Sequence, residues 1–402
     1  MSPDPYRPIR YNYRAVFESY PEPTTNWKGD EFHFLNPRTS AKEIPTNAIL
    51  LNPESLGLAW ISSMKGCLQN IHWREAEDAC TQLIQNVVER KGVGRVLPDA
   101  LKTSDKARKS KELIETAVTI GIYLFPTATA ERMRVLTQAI MFLFLHDDVV
   151  ESNTRGDGRT VLEDTPDDTE HPAAKGDLFG EFAKEAHSVD PVLGGKLVTA
   201  ARCWAEVTRN SSTDPGKTFA SFAEYMDFRA SDVGNEFLVA GVKFSCALNL
   251  SPEEQAAFDN IEKLYVRHAS LINDLYSYEK ERRESEESGA APFNGVYVIH
   301  TLLGVSTDYA KNVVWTTALD CERQLREEYN RLVALPGFND EQQRYLMRII
   351  ESTAGNVMYS STTYRYARFT ENLIRTPSSY WHAFLDVLHL GLRRCAMFLG
   401  RK

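Results

Sequence analysis

Leu136, Ile140, Leu143 and Phe144 recur at the spacing of one α-helix face, and the same stretch runs without a break into Asp147, Asp148 and Glu151. Leu83, Val87 and Val88 repeat the helical spacing earlier in the chain. Apolar residues three and four apart line one side of a helix and need a partner surface to bury it. The opposing signal is weak: β-branched stretches are short, and no hairpin turn chemistry separates alternating runs. No repeat at solenoid periods is present. The pattern predicts an all-α chain, a single helical bundle built by residues 51–402. Residues 1–50, rich in Pro, Asn and Tyr, read as an irregular segment wrapped over that core. Polar breaks are expected at Ser152 to Gly158, at the acidic stretch Glu163 to Asp177, and at Arg282 to Pro292.

Composition removes several classes. Of 402 residues 43% are apolar and 25% charged, which is ordinary for a globular chain and far from a disordered one. A formal charge of −9 argues against a basic nucleic-acid face, so no nucleic-acid partner is expected. No run approaches the roughly 18 apolar residues that cross a bilayer, and the Pro-rich start lacks the apolar centre of a signal peptide. The expectation is a cytoplasmic protein with no transmembrane segment. Cys67, Cys80, Cys203, Cys246, Cys321 and Cys395 show no C-x-x-C spacing, which predicts reduced, mostly buried thiols.

Two acidic motifs carry chemistry. In Asp147-Asp148-Val149-Val150-Glu151, Asp147 and Glu151 lie about 40° apart on a helix, with Asp148 about 100° from Asp147. Carboxylates so close repel unless a cation or a proton neutralises them. Hard oxygens of this kind suit Mg²⁺, although a solvated helix end would carry the same acids. In the second motif Asn273, Ser277 and Glu281 recur at i, i+4 and i+8, a stripe of about 80° and roughly 12 Å. Amide, hydroxyl and carboxylate each offer an oxygen to one hard cation. With one carboxylate among them, the cation stays positive enough to hold an anion. Lys280 beside them offers charge to a phosphate. An ordinary polar helix face would show the same spacing.

Together and in this order, the motifs resemble those of the class I terpene cyclases, particularly the fungal ones. That family carries D-D-x-x-D/E and, well downstream, N-D/S-x-x-S-x-x-x-E, often ending in Lys-Glu, as Lys280-Glu281 does here. Upstream of the second motif, Arg229 resembles the family's diphosphate-sensing arginine, and Asp232 its linker aspartate. The next residue, often Gly in the family, is Val233, followed by Gly234. In Tyr364-Arg365-Tyr366, Arg365 and Tyr366 resemble the pair that binds the diphosphate. Many members place a Trp before that arginine; the nearest aromatic beyond Tyr364 here is Tyr359. The resemblance runs from about Tyr123 to Tyr366 and includes Asn294-Gly295-Val296.

The resemblance implies a bundle of the class I terpenoid synthase type and a carbon–oxygen lyase. The enzyme would ionise a linear isoprenyl diphosphate, cyclise the carbocation and release diphosphate. It implies about three Mg²⁺ ions, with Asp147, Asp148, Glu151, Asn273, Ser277 and Glu281 as metal-binding residues. Arg229, Asp232, Lys280, Arg365, Tyr366 and Tyr359 would face the substrate, and Asp147, Asn273, Arg229, Arg365 and Tyr366 would carry the chemistry. The wording around the motifs looks like the cyclase half of fungal bifunctional di- and sesterterpene synthases. No second aspartate-rich pair precedes Lys402, so the expected substrate is made elsewhere. Geranylgeranyl diphosphate, giving a diterpene, is favoured over farnesyl diphosphate, which would make the chain a sesquiterpene cyclase. A chain-elongating prenyltransferase should carry two aspartate-rich motifs rather than the Asn/Ser/Glu trio, and an inactive helical scaffold would need neither. Cyclases of this type often dimerise, so a homodimer is expected. Three other features read as structural: Glu163 to Glu170 as a solvated loop around Pro166, His146 as a packing residue, and the amphipathic Trp381 to Leu399 as a packed segment.

Overall fold

The computed structural model describes residues 4–9, 32–37, 44–89, 106–152, 178–212, 217–289 and 291–369. Among these residues lie twelve α-helices, one 3-10 turn at His33–Leu35 and a two-stranded sheet. Strands β1 (Ala48–Leu51) and β2 (Cys67–Asn70) are antiparallel, pairing Ala48 with Asn70 and Leu51 with Cys67. At four residues each they are too short to leave a periodic signal, and β1 begins just before the expected boundary at residue 50. β2 is buried throughout. Asn70 Nδ2 donates to the carbonyls of Pro126 (2.9 Å) and Ala128 (2.8 Å), which ties the sheet to the turn between two helices. Gln69 exchanges hydrogen bonds with Ile9 N and the Arg7 carbonyl, both at 3.0 Å. Phe34 and Leu35 are buried, so both described N-terminal pieces lie against the core.

The helices are α1 (Trp73–Glu89), α2 (Lys106–Leu124), α3 (Ala130–Ser152), α4 (Leu178–Val189), α5 (Pro191–Ser212), α6 (Phe222–Asp232), α7 (Asn235–Ser245), α8 (Pro252–Ser288), α9 (Gly295–Leu303), α10 (Thr307–Val333), α11 (Asp340–Thr362) and α12 (Tyr364–Ala367). The bundle forms around α8, which packs against α10, α11, α9, α6 and α12. On the far side of α11 lies α2, and α3 packs between α1, α2 and α5. The α2–α11 crossing is close because Gly355 has no side chain; a Cβ there would meet the Tyr123 carbonyl oxygen at 1.9 Å.

α8 is 37 residues, about 55 Å at ~1.5 Å per residue. It starts on a capping box between Ser251 and Glu254 with proline at the first turn, a device that contributes about 1 kcal/mol. Its middle is buried on all sides: Tyr265, Leu271, Ile272, Leu275 and Tyr276 are closed off, and so are His268, Ser270, Asp274 and Ser277. Such a helix shows no one-sided stripe. The expected break at Arg282 to Pro292 is corrected here, because the helix continues to Ser288. Pairs Lys280–Glu284 and Arg282–Glu286 run along its polar last turns at i, i+4, and such pairs stabilise exposed helix. It stops at Gly289, whose φ of +76° favours glycine.

A buried polar link fastens the stretch before β2 to the bundle. Glu322 Oε2 accepts from the Ser63 backbone N–H (2.7 Å) and hydroxyl (2.5 Å), while Oε1 lies 3.1 Å from His268 Nε2. Hydrogen bonds to a charged group contribute about 1.5–3 kcal/mol each. Cys67, Cys80 and Cys321 are buried free thiols, Cys203 and Cys246 are free and partly exposed, and Cys395 lies outside the described residues. Among the described residues, no helix is long and apolar enough to cross a membrane. The stretches Glu163 to Asp177 and Trp381 to Leu399 also lie outside them.

Candidate active site

Four elements bring the two motifs together. α3 ends with the first motif, and Asp147 stands there with its carboxylate 3.8 Å from Arg365 Nη2 of α12. The Arg365 guanidinium also sits 5.5 Å from the Phe144 ring, one turn earlier on α3. Asp148 and Glu151 are on the same helix, but their side chains lie outside the described residues. The neighbour of Arg365, Tyr366, accepts at its hydroxyl from Asn273 Nδ2 of α8 (3.2 Å). α12 is only four residues long, yet its successive side chains reach one motif each. Tyr359, fully buried on α11, meets Tyr366 edge to face at 6.0 Å.

α6 supplies the third contact. Ser221 caps it by accepting from Glu224 N, and Glu224 reaches back to Ala220 N. Arg229, 8% exposed, spreads its guanidinium over three partners. Nε donates to Asp274 Oδ1 (2.9 Å), Nη2 donates to Asn273 Oδ1 (2.9 Å), and Nη1 donates to Asp232. Burial works against the Arg229 charge, but Asp274 and Asp232 hold it protonated well above its ordinary value. The chain turns immediately afterwards. α6 ends at Asp232, Val233 stays right-handed, and Gly234 takes φ +84°. A Cβ on Gly234 would meet Trp204 Cδ1 at 2.9 Å, and Trp204 Nε1 donates to the Asp232 carbonyl at 2.8 Å. The glycine therefore belongs one residue after the family position, because the left-handed turn and the Trp204 ring are there.

Asp274 is the residue whose role the sequence reading missed. It is fully buried and accepts from Arg229 Nε, from the Tyr225 hydroxyl (2.5 Å) and from Gly295 N (3.0 Å). Burial pushes its carboxyl up, while Arg229, Tyr225 and Gly295 pull it part of the way back. The available signal was a carboxylate between Ile272 and Leu275, both core residues. Asn294, also fully buried, was noted in the sequence without a role. Its Nδ2 lies 3.0 Å from Glu281 Oε2 and 3.3 Å from Ser277 Oγ, so these two members of the trio converge on one nitrogen. Burial raises the Glu281 carboxyl, Arg229 and the Ser277 hydroxyl lower it, and Asp274 adds to the rise. Over this end of the site lie the rings of Phe219, Tyr225, Phe228 and Phe293, with Phe228 and Phe293 5.1 Å apart.

The remaining expected site residue, Lys280, donates from Nζ to Glu284 Oε2 at 2.8 Å along α8 and acts on the neighbouring Glu281 through its charge. His146 is buried against Trp204 at 5.6 Å. Burial and then Arg209 lower its pKa to about 4, which leaves a neutral packing imidazole. Among the described residues, no three His, Cys, Asp or Glu side chains cluster as metal ligands. The trio differs in kind, with an amide, a hydroxyl and a single carboxylate. All are hard oxygen donors of the type Mg²⁺ takes, so the donor set fits that ion.

The chain is similar to known proteins in sequence and in fold. The family described as terpene synthase family 2, C-terminal metal binding, matches residues 195–324, which include Arg229 and the whole second motif. Terpene cyclase aneC of Aspergillus aculeatus is 46% identical over 93% of this chain and 85% of its own length. Terpene cyclase 6 of Gibberella fujikuroi is 34% identical over 82% of this chain and 88% of its own. Ophiobolin F synthase oblA of Aspergillus clavatus is 27% identical, matching 60% of this chain and only 34% of its own length. The crystal structure of aristolochene synthase from Penicillium roqueforti has the same fold, with a TM-score of 0.56 and 20% identity, covering 72% of this chain and 95% of that one. By its sequence relatives, its fold and its two motifs, the chain belongs to the fungal class I terpene cyclases, and it is a lyase of that family.

Proposed function

We propose that the chain binds a linear isoprenyl diphosphate with its head between the two motifs, ionises it, and cyclises the resulting allylic cation within the bundle. One run of contacts carries the reading: Asp147 to Arg365, Tyr366 to Asn273, and Asn273 to Arg229. It joins both candidate metal-binding motifs to two guanidinium groups. Asn273, Ser277 and Glu281 on one side, and Asp147 with Asp148 and Glu151 on the other, would hold Mg²⁺. When bound, the metal supplies Lewis-acid charge to the leaving diphosphate.

The protein's own groups do the rest. Arg229 and Arg365 donate N–H bonds, and Tyr366 its O–H, to phosphate oxygens whose charge grows as the carbon–oxygen bond breaks. Lys280 adds positive charge nearby. Asp232 and Asp274 orient the Arg229 fork, and Tyr359 steadies the Tyr366 ring. The apolar interior excludes water, and each aromatic face stabilises an adjacent cation by ~0.5–2 kcal/mol.

Geranylgeranyl diphosphate is the proposed substrate, on the wording of Leu145 to Glu151 and of Arg229 to Gly234. Farnesyl diphosphate is the second reading. Side-by-side incubation of purified protein and Mg²⁺ with each diphosphate, read by gas chromatography–mass spectrometry, tests both. A cyclic C20 product formed in preference supports the proposal, and C15 cyclisation alone keeps the mechanism and replaces the substrate. No product from either contradicts both readings.

A further inference from the structure

Asn294 belongs to neither metal-binding motif, yet its amide sits on two of the trio's oxygens. Its orientation is fixed by partners that each have only one role. Oδ1 lies 2.8 Å from the Val296 backbone nitrogen, which can only donate, and Nδ2 lies 2.8 Å from the Asp274 carbonyl oxygen, which can only accept. Nδ2 therefore faces α8, where it also reaches Glu281 Oε2 (3.0 Å) and Ser277 Oγ (3.3 Å). Two amide hydrogens serve three acceptors, and two of these acceptors are the oxygens that converge.

We infer that Asn294 is a positioning residue that holds Ser277 and Glu281 in the arrangement that receives the cation; this rests on the reading that the trio binds metal. Left alone, a serine side chain on a helix rotates among its staggered χ1 wells and carries its oxygen away from the cation's place. A glutamate side chain keeps rotamer freedom worth about 1–2 kcal/mol. The amide removes both alternatives while leaving each oxygen further lone pairs. Because it is neutral, it organises the carboxylate without cancelling the charge that attracts a cation. An ammonium at the same place would compete with the metal.

Asn294 is itself rigidly held. It is the N-cap of α9, and the next residue, Gly295, donates to Asp274 Oδ2 at 3.0 Å. A Cβ on Gly295 would meet that oxygen at 2.8 Å and Tyr225 Cε1 at 3.1 Å. The start of α9 thus docks directly on α8, and a side chain supported in this way orients its neighbours.

The test separates capping from positioning. Serine caps helices about as well as asparagine, so Asn294→Ser keeps an acceptor for Val296 N–H and loses the amide donor. Mn²⁺ stands in for Mg²⁺, with inorganic diphosphate as the anion, and free Mn²⁺ is followed by electron paramagnetic resonance. Parent, Asn294→Ser and Asn273→Ala are compared on protein that keeps the parent's circular-dichroism spectrum. Losing a group that orients a metal ligand typically costs 10–100-fold in affinity. The expected result is a fall of about tenfold or more in Mn²⁺ affinity for Asn294→Ser, with a matching rise in the Mg²⁺ concentration needed for half-maximal turnover. Parent-like Mn²⁺ affinity in Asn294→Ser overturns the inference, since Asn294 then only caps α9. Absence of diphosphate-dependent Mn²⁺ binding in the parent overturns the metal reading, and this inference with it. If Asn294→Ser does not fold, Asn294→Thr is read by the same two criteria.

Discussion

A carboxylate with no exposure is tolerable only when its lone pairs are answered, and Asp274 has a guanidinium, a phenol and a backbone N–H to answer it. Asp274→Ala would leave the buried Arg229 with one of its two carboxylate partners gone. Breaking such a pair from one side costs about 3–5 kcal/mol, and that loss is expected in denaturant unfolding of the variant. Glu351 gives a second test at this scale. It is buried on α11 with Arg348 Nη2 2.9 Å away, and burial pushes its carboxyl from an ordinary 4.5 to about 7. Between those values the folded chain holds a proton that the unfolded chain has released. Stability therefore falls as pH rises through that window and stays low above it, by at most about 1.4 kcal/mol per pH unit. Glu351→Gln should flatten this part of a melting-temperature profile between about pH 4.5 and 7; an unchanged slope would contradict the assignment. Of these residues, Asp274 was written in the motif, but nothing in the sequence could name Tyr225 or Gly295 as its partners, since the pairing is made by packing α6 and α9 on α8.

The helices became legible through different signals. The helical spacing of Leu136, Ile140, Leu143 and Phe144 announced α3, although Val135 to Phe142 are buried all round, whereas the capping box at Ser251 and Glu254 was not read in advance. The middle of α8 is closed on every side and carried no stripe, so only its motif gave it away. α12 is too short for any periodicity, and Arg365 and Tyr366 were found by resemblance alone. The end of α8 was misread because charged residues suggested a break where i, i+4 pairs continue the helix. The α2–α11 crossing offers a prediction at the same scale. In a free helix Gly355→Ala would gain about 1 kcal/mol, but its Cβ would land 1.9 Å from the Tyr123 carbonyl oxygen, a backbone atom. Overpacking of this kind costs about 1–3 kcal/mol, and parting two helices adds to it. The variant should melt below the parent, and a rise in melting temperature would show that the crossing yields.

At the scale of the molecule, the bundle carries two candidate metal-binding stretches on helices far apart in sequence and joins them through α12 and α6. In the proposed function, Asp147 and Asn273 serve one diphosphate site. The consequence is that either motif alone is useless while the fold survives. Asp147 is partly exposed and Asn273 half-buried; Asn273→Ala removes the bonds to Arg229 and Tyr366 but no apolar core side chain, so the helical fold is expected to survive both truncations. The direct measurement is product formation from the preferred isoprenyl diphosphate by parent, Asp147→Ala and Asn273→Ala. Each is assayed with Mg²⁺ and after chelation, and each is checked by circular dichroism. The account predicts that product disappears in both variants and in the chelated parent while the helical signal is retained. Full turnover in either variant, or in the parent stripped of metal, would contradict it.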